Sequence, residues 1–248
     1  MKTKWTREKL LEHLDEFNQL YGQRPIKDNS GGMNSSHMFS AWFIVQTLKP
    51  KVLIESGVWK GLGTWFFEKA SPDTHIISID PEPRFREYTS VSVDYQTLDF
   101  LETDWSAVDK ENSLVFFDDH QNSFERLQKC LDLGFKRVIV EDNYPYQQGD
   151  CYSPKKILAN RNYVIDIAGV RNWHPNIDTN LEWFKRHVEV YQEMNPIFVD
   201  EMTRWGDKWN PVVYPTPKPL LGDHERAEYT TFFEERFDYT WICYLEIG

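Results

Sequence analysis

The feature that most constrains the fold is a set of short apolar runs, each ending in an acidic residue. Four such runs lie between residues 51 and 142: KVLIE, HIISID, SLVFFDD and KRVIVED. They are apolar throughout rather than alternating, which is typical of strands buried on both faces of a parallel sheet. Helix-length segments separate them, as at residues 64–70 and 124–131. The sequence therefore predicts an α/β fold with a doubly wound, mostly parallel, Rossmann-like sheet.

Three further strands have weaker patterns and are predicted at residues 88–93, 162–170 and 239–247. Residues 181–194 are predicted as a helix, whereas the four prolines within residues 210–221 exclude a continuous helix there. These strands bring the predicted sheet to seven.

The length of 248 residues suits one large α/β domain. We predict a single domain with four parts: N-terminal helices at 1–50, a core at 51–170, an inserted lid at 171–228 and a final strand region at 229–248.

Charge and composition limit the partners. The formal net charge of −11 argues against nucleic acid or an anionic membrane, which require clustered Lys and Arg, and suits a neutral or cationic small molecule. The three cysteines lack CxxC spacing, so neither a disulfide framework nor a zinc site is indicated. The first residues are charged, and no run of about 18 apolar residues occurs. We expect a soluble cytoplasmic protein, and the sequence leaves open whether it forms a homo-oligomer.

A glycine-rich segment, ESGVWKGLGT, lies where the first strand turns into a helix. Its GxxxGxG spacing differs from the GxGxxG of dinucleotide-binding proteins. It resembles the first motif of class I S-adenosylmethionine (SAM)-dependent methyltransferases. The resemblance implies that Glu55 lies near the amino-acid end of SAM, with further cofactor contacts from Gly57, Gly61, Gly63 and Thr64.

Two acids farther along extend this resemblance. Asp80 ends the second strand 17 residues after Gly63, where such enzymes place a carboxylate on the ribose hydroxyls. Asp99 could meet the adenine amino group, although a solvated loop acid would look the same. An acid at a strand end can also be a plain helix cap.

Two neighbouring strands end in FFDDHQNSF and VIVEDNYPY. Because both ends should meet at the ligand crevice, four acids and a histidine would crowd one volume, which favours a bound cation. Oxygen ligands without cysteine suit a hard ion such as Mg²⁺, with Ca²⁺ or Mn²⁺ as alternatives. We predict Asp118, Glu141 and Asp142 as ligands, although consecutive residues on a strand point to opposite faces. The alternative is that these acids cap helices and pair with Arg126 or Lys155.

These two strand ends, together with the glycine-rich segment, resemble the cephalosporin hydroxylase family over residues 51–156. That family has the class I methyltransferase fold and binds SAM and a divalent cation through acids at these positions, including Asp118. This chain departs from the family's usual second glycine and serine at Leu62, Gly63 and Thr64. The DDH step is one residue shorter than usual, which leaves open whether Asp118 or Asp119 is the ligand.

The predicted reaction is transfer of the SAM methyl group to a hydroxyl of a sugar, glycan or natural product, assisted by the metal. His120 or Asp119 would act as general base, unless His120 is structural. Other histidines, such as His37, are interpreted as surface or packing residues. Ring stacking on the acceptor, or core packing, is expected of Trp173, Trp183, Trp205 and Trp209. Alternative functions are a nucleotide-binding oxidoreductase or a sugar-modifying enzyme on the same Rossmann-like sheet, and a catalytically silent module that binds SAM or a glycan.

Overall fold

The computed structural model describes residues 1–146, 148–160, 163–165, 171–173, 177–238 and 241–248. Three helices precede the first strand: α1 (Arg7–Leu11), α2 (Leu14–Gly22) and α3 (Ser35–Leu48). Every residue of α3 from Ser35 to Val45 is buried, since the helix lies between the sheet and the outer N-terminal helices. The remaining described helices are α4 (Leu62–Ala70), α5 (Ser123–Leu133), α6 (Pro154–Leu158), α7 (Ile177–His187) and α8 (Thr230–Glu234).

The described strands are β1 (Val52–Ser56), β2 (His75–Ile79), β3 (Val93–Gln96), β4 (Ser113–Phe117), β5 (Arg137–Val140), β6 (Tyr163–Ile165), β7 (Arg171–Trp173), β8 (Val188–Glu193) and β9 (Cys243–Ile247). Seven of them form one sheet in the order β3-β2-β1-β4-β5-β9-β8. The first five are mutually parallel, and β9 runs antiparallel to both of its neighbours. The predicted doubly wound, mostly parallel sheet of seven strands is confirmed.

Successive residues of the central strands pack on opposite faces of this sheet, which gives a core on each side. Leu53 and Phe116 join the cluster beneath α3 and α4, whereas Ile54 and Val115 join the cluster beneath α5. Burial on both faces explains why these strands are apolar throughout.

Two of the weaker strand predictions were wrong in position. The third strand begins at Val93, while Tyr88 lies before it and donates its hydroxyl to Glu68 at 2.7 Å. The sixth strand of the sheet is β8, not residues 162–170. Of that predicted segment, β6 pairs with β7 in a separate two-stranded sheet, and residues 162 and 166–170 lie outside the described residues.

The segment 181–194, predicted as helix, is helical only to His187, and the residues from Val188 to Glu193 form β8. Burial in VEVYQE alternates with a period of two, which a half-buried strand produces. Residues 188–193 of the predicted insertion therefore belong to the sheet, while the division into four parts stays a prediction. The last strand lies within the predicted 239–247, although residues 239 and 240 lie outside the described residues.

The carboxyl ends of the parallel strands meet at one edge of the sheet. Ser56 is in register with Ile79 on one side and Phe117 on the other, and Phe117 is in register with Val140. The residues that follow these strands therefore lie side by side at this edge, as in other doubly wound sheets. Among the described residues, no helix has both the length and the apolar character needed to cross a membrane.

Candidate active site

The turn between β1 and α4 brings two strand ends into direct contact. Gly57 has φ +95°, and a Cβ atom there would lie 1.9 Å from the carbonyl oxygen of Asp118. Gly61 has φ +90°, and a Cβ atom there would lie 2.5 Å from the carbonyl oxygen of Tyr88. Both positions therefore require glycine, because of the backbone angle and because of the neighbouring main chain.

Asp80, at the end of β2, holds this glycine turn in place. Its Oδ2 accepts hydrogen bonds from the backbone N–H of Trp59 at 3.1 Å and of Val58 at 3.3 Å. The Trp59 side chain packs against Phe85, with ring centroids 4.9 Å apart. A carboxylate and an aromatic pair thus lie together on the β2 side of the edge.

A cleft of about 260 Å³ opens over this turn. On the β2 side its walls are Asp80 and the aromatic pair, and on the β4 side they are Asp118, Asp119 and His120. Among the other predicted site residues, Gly57 and Asp99 also line the cleft, whereas the residues not lining it are Glu55, Gly61, Gly63, Thr64, Glu141 and Asp142.

Glu55 lies beneath the glycine turn and is 1% exposed. The hydroxyls of Thr64 and Ser78 each donate to its Oε2 at 2.6 Å. Its Oε1 lies on the side of Gly63, where a Cβ atom would be only 2.8 Å away. Burial raises the pKa of Glu55 to about 7, since hydroxyl donors only partly replace water around the charge.

Arg126 on α5 joins two of the predicted site acids. Its side chain is 2% exposed, and its terminal nitrogens donate to both carboxylate oxygens of Asp99 at 2.7 and 2.5 Å. Its Nε donates to Asp119 at 3.1 Å, and Ser56 donates to the same Asp119 oxygen at 2.7 Å. The hydrogen bonds from Arg126 hold the pKa of Asp99 below its usual range. Asp99 and Asp119 thus line the cleft with their carboxylates already paired.

On the β4 and β5 side, three side chains converge. Ligand atoms of Asp118, His120 and Asp142 all lie within 4.8 Å of one another. His120 Nδ1 lies 3.0 Å from Asp150 Oδ1 and 3.6 Å from Asp142 Oδ1. Burial, together with the charges of Glu141 and Asp142, raises the pKa of Asp118 well above its usual value.

The pKa of His120 is raised to about 11, first by its hydrogen bond with Asp150 and then by the charge of Asp142. The imidazole therefore carries a proton at neutral pH when nothing else balances these acids. Asp142 Oδ1 is buried without a hydrogen-bond partner. An unpaired buried carboxylate oxygen beside a second carboxylate and an imidazole is a donor set that fits a divalent cation.

Glu141, the third predicted metal ligand, lies next to this group but contacts a different partner. Its Oε1 meets Nδ1 of His37 on α3, and both side chains are buried. The interpretation of His37 as a surface or packing residue missed this contact. The sequence carries no local signal for it, because the two residues are 104 positions apart.

The aromatic residues predicted to stack on an acceptor are divided between packing and exposure. Trp183 packs edge-on against Phe124 at 5.1 Å, and Trp209 packs against Trp241 at 5.1 Å. Trp205 is 44% exposed and meets Tyr144, just after β5, at 5.5 Å. The side chain of Trp173 lies outside the described residues.

No family model matches the sequence, and no curated protein matches it. Solved structures with a similar chain path include an O-methyltransferase from Streptomyces achromogenes involved in tomaymycin synthesis, in complex with SAM. It shares 12% identity over 100% of this chain and 92% of that chain, with a TM-score of 0.45. An SAH-bound methyltransferase from Podospora anserina shares 12% identity over 100% and 91% of the two chains, with a TM-score of 0.43.

An O-methyltransferase from Bacillus cereus in complex with SAH shares 11% identity over 97% of this chain and 91% of that chain, with a TM-score of 0.43. With TM-scores below 0.5, these similarities carry no assignment of activity. An assignment of activity must therefore rest on the residues that line the cleft.

Proposed function

We propose that this protein is a SAM-dependent methyltransferase that transfers the methyl group to a hydroxyl oxygen of a small molecule. One observation carries the proposal. The cleft over the glycine turn has a strand-end carboxylate, Asp80, on one side and the group of Asp118, His120 and Asp142 on the other. A nucleoside site and a cation site would then adjoin at the ligand edge of a doubly wound sheet.

In this proposal the cofactor lies along the glycine turn. Asp80 is the partner of the ribose hydroxyls, and the rings of Trp59 and Phe85 form an apolar wall for the adenine. Glu55 lies toward the amino-acid end. Gly57 lets the turn lie directly against the end of β4, so that the turn and Asp118 line the cleft together.

The residues proposed to hold a divalent cation are the carboxylates of Asp118 and Asp142, with Glu141 adjacent, whereas His120, the third member of this group, stays free of the cation. When bound, such a cation lowers the pKa of a hydroxyl that contacts it, which makes the oxygen a better nucleophile. Mg²⁺ is the proposed ion, with Mn²⁺ or Ca²⁺ as alternatives that oxygen ligands also accept.

The transfer forms a bond between the acceptor oxygen and the methyl carbon as the carbon–sulfur bond breaks, and it releases S-adenosylhomocysteine (SAH) and one proton. Because sulfonium is a good leaving group, the main task of the protein is to align oxygen and carbon. His120, with 48% of its side chain exposed, lines the cleft and is the proposed proton acceptor. It is available for that role when a cation, rather than its own proton, balances the neighbouring acids. Asp119 stays a second prediction for this role, although Arg126 and Ser56 already occupy its carboxylate.

The proposed acceptor is a sugar, glycan or natural-product hydroxyl. The half-exposed Trp205 near Tyr144 supports this class, because a ring face can cover a sugar or a flat molecule beside β5. The net charge of −11 disfavours a nucleic acid. A cytoplasmic location belongs to the same proposal.

Calorimetric titration of chelator-treated protein with SAM and SAH, each with and without Mg²⁺, tests the cofactor site. We expect micromolar binding of both, and at least tenfold weaker SAH binding by Asp80→Asn. The matched control is Asp132→Asn, an exposed acid on α5, which should bind like the wild type. If the wild type binds neither ligand, the proposal is wrong, and binding of NAD instead would favour an oxidoreductase. Binding would then justify an acceptor screen that begins with sugars and measures SAH release.

A further inference from the structure

Asn29 lies in the loop between α2 and α3 and is only 9% exposed. Its Nδ2 donates to the backbone carbonyl of Met33 at 2.9 Å. Since a carbonyl can only accept, this bond fixes which end of the carboxamide is the nitrogen and which is the oxygen. The oxygen, Oδ1, is buried without a hydrogen-bond partner. A buried acceptor with no donor costs free energy, so this atom suggests a ligand that donates to it.

Asn29 lines a second, much smaller chamber beneath the glycine turn. The chamber measures about 10 Å³, which is close to the space that one water-sized group occupies. Its other polar walls are Glu55 and Asp118, and Gly63 leaves room next to Oε1 of Glu55. These side chains present acceptor oxygens, and a cation beside the two carboxyl groups favours their charged form. A small cationic donor therefore fits the chamber best.

The chamber adjoins the larger cleft, with which it shares walls at Gly57, Trp59 and Asp118. The loop that carries Asn29 is also tied to the glycine turn. Trp59 donates its indole N–H to the carbonyl of Ser30 at 3.2 Å, and Lys60 donates to the carbonyl of Asp28 at 2.7 Å. A ligand in the cleft therefore lies next to the chamber.

We infer that Asn29 is a cofactor-binding residue that accepts a hydrogen bond from the α-ammonium group of SAM. The ammonium has three N–H donors, and Asn29, Glu55 and Asp118 offer three acceptors. This inference rests on the proposed function and adds a specificity determinant to it. Asn29 favours ligands with the amino-acid end over nucleosides that lack it.

The test compares two ligands and two variants by calorimetry on the full-length, Mg²⁺-loaded protein. SAH has the ammonium, whereas 5′-methylthioadenosine has the same nucleoside and sulfur without the amino-acid end. Asn29→Leu and Asn29→Asp both lose the hydrogen bond to Met33, but only Asn29→Asp keeps an oxygen at the position of Oδ1. A matched control is Asn195→Leu, which removes a side-chain amide that donates to the carbonyl of Lys218 at 2.7 Å.

We expect Asn29→Leu to weaken SAH binding at least tenfold and to change 5′-methylthioadenosine binding less than twofold. Asn29→Asp should bind SAH within threefold of the wild type or more tightly, and Asn195→Leu should bind both ligands normally. Equal losses for both ligands in Asn29→Leu would show that only the loop had been damaged and would overturn the inference. Unchanged SAH binding would overturn it as well.

The two proposals fail in different ways. If the wild type binds neither ligand, the proposed function fails, whereas wild-type binding that Asn29→Leu leaves intact contradicts only the role of Asn29. If Asn29→Leu does not fold, Asn29→Asp carries the test. Its added charge should raise the affinity for SAH relative to that for 5′-methylthioadenosine, and an equal change for both would overturn the inference.

Discussion

Arg126 donates two hydrogen bonds, of 2.7 and 2.5 Å, to the carboxylate of Asp99, and its Nε donates a third to Asp119. A guanidinium on α5 thereby joins the loop after β3 to the end of β4. Because both oxygens of Asp99 already accept hydrogen bonds from Arg126, they are less available to an adenine amino group. The same guanidinium balances the charge of Asp119 at the wall of the cleft. Asp118 after β4 and Asp142 after β5, in contrast, form no ion pair with arginine or lysine among the described residues.

Replacing Arg126 by Leu should destabilise the protein by about 3 kcal/mol, because it leaves Asp119, whose side chain is only 14% exposed, without its positive partner. Asp99 is about one-third exposed and should contribute the smaller part. Urea unfolding followed by circular dichroism measures the loss. Arg137→Leu, which removes a single hydrogen bond to a backbone carbonyl, is the control and should cost about 1 kcal/mol or less. Equal losses in the two variants would contradict this account.

Gly57→Ala should destabilise the protein more than Gly206→Ala does, although both glycines have positive φ. A Cβ at Gly206 meets nothing within 4 Å, whereas at Gly57 it meets the Asp118 carbonyl. The Gly206 variant should therefore lose about 1 kcal/mol from backbone strain. The Gly57 variant should lose about 2–3 kcal/mol more, since it must separate two strand ends. Thermal unfolding of the pair distinguishes strain from crowding, and similar losses would argue against the close contact.

The stability of the ligand-free protein should fall between pH 5 and pH 8 because of Glu55. Its folded-state pKa of about 7 exceeds the ordinary value of 4.5, so the folded state binds more protons in this interval. The contribution of Glu55 to the free energy of unfolding then decreases as the pH rises to about 7 and stays level above it. At about 1.4 kcal/mol per pH unit, the effect reaches about 2–3 kcal/mol.

Urea titrations of wild type and Glu55→Gln at pH 5 and pH 8 measure the contribution of Glu55 to the free energy of unfolding, because glutamine does not titrate. The variant should gain stability relative to the wild type as the pH rises. Glu68→Gln is a suitable control. The hydroxyls of Ser90 and Tyr88 outweigh the burial of Glu68 and lower its pKa, so it titrates below this interval. A difference between wild type and Glu55→Gln that is the same at both pH values would refute the prediction.

Manganese binding, followed by electron paramagnetic resonance, should depend on the convergent acids. Asp118→Asn and Asp142→Asn each remove a negative charge from the group and should weaken Mn²⁺ binding at least tenfold, since Mn²⁺ prefers charged oxygen ligands. The exposed Asp132→Asn should bind like the wild type. If all three variants retain wild-type affinity, the acids at the ends of β4 and β5 do not form a metal site.

Much of the fold could be predicted from short segments of the sequence. The runs KVLIE, HIISID, SLVFFDD and KRVIVED all form strands, because burial on both faces requires continuous apolar sequence. The sequence pattern predicts helix for the half-buried β8, since its partner strand β9 is distant in sequence and its pattern directly follows that of α7. The predicted position of the edge strand β3 was wrong for a related reason. One side of this strand is exposed, so its sequence shows only a weak apolar pattern.

The sequence by itself determined that acids and glycines follow the central strands, and hence that they meet at one edge of a parallel sheet. Only the tertiary structure decided which partners they have there. Arg126 binds Asp99, His37 contacts Glu141, and Asn29, whose side-chain oxygen has no donor, lines the chamber under the glycine turn. These contacts depend on how α3, α5 and the loop before α3 pack against the sheet. Such packing joins residues far apart in the chain, and no local spacing encodes it.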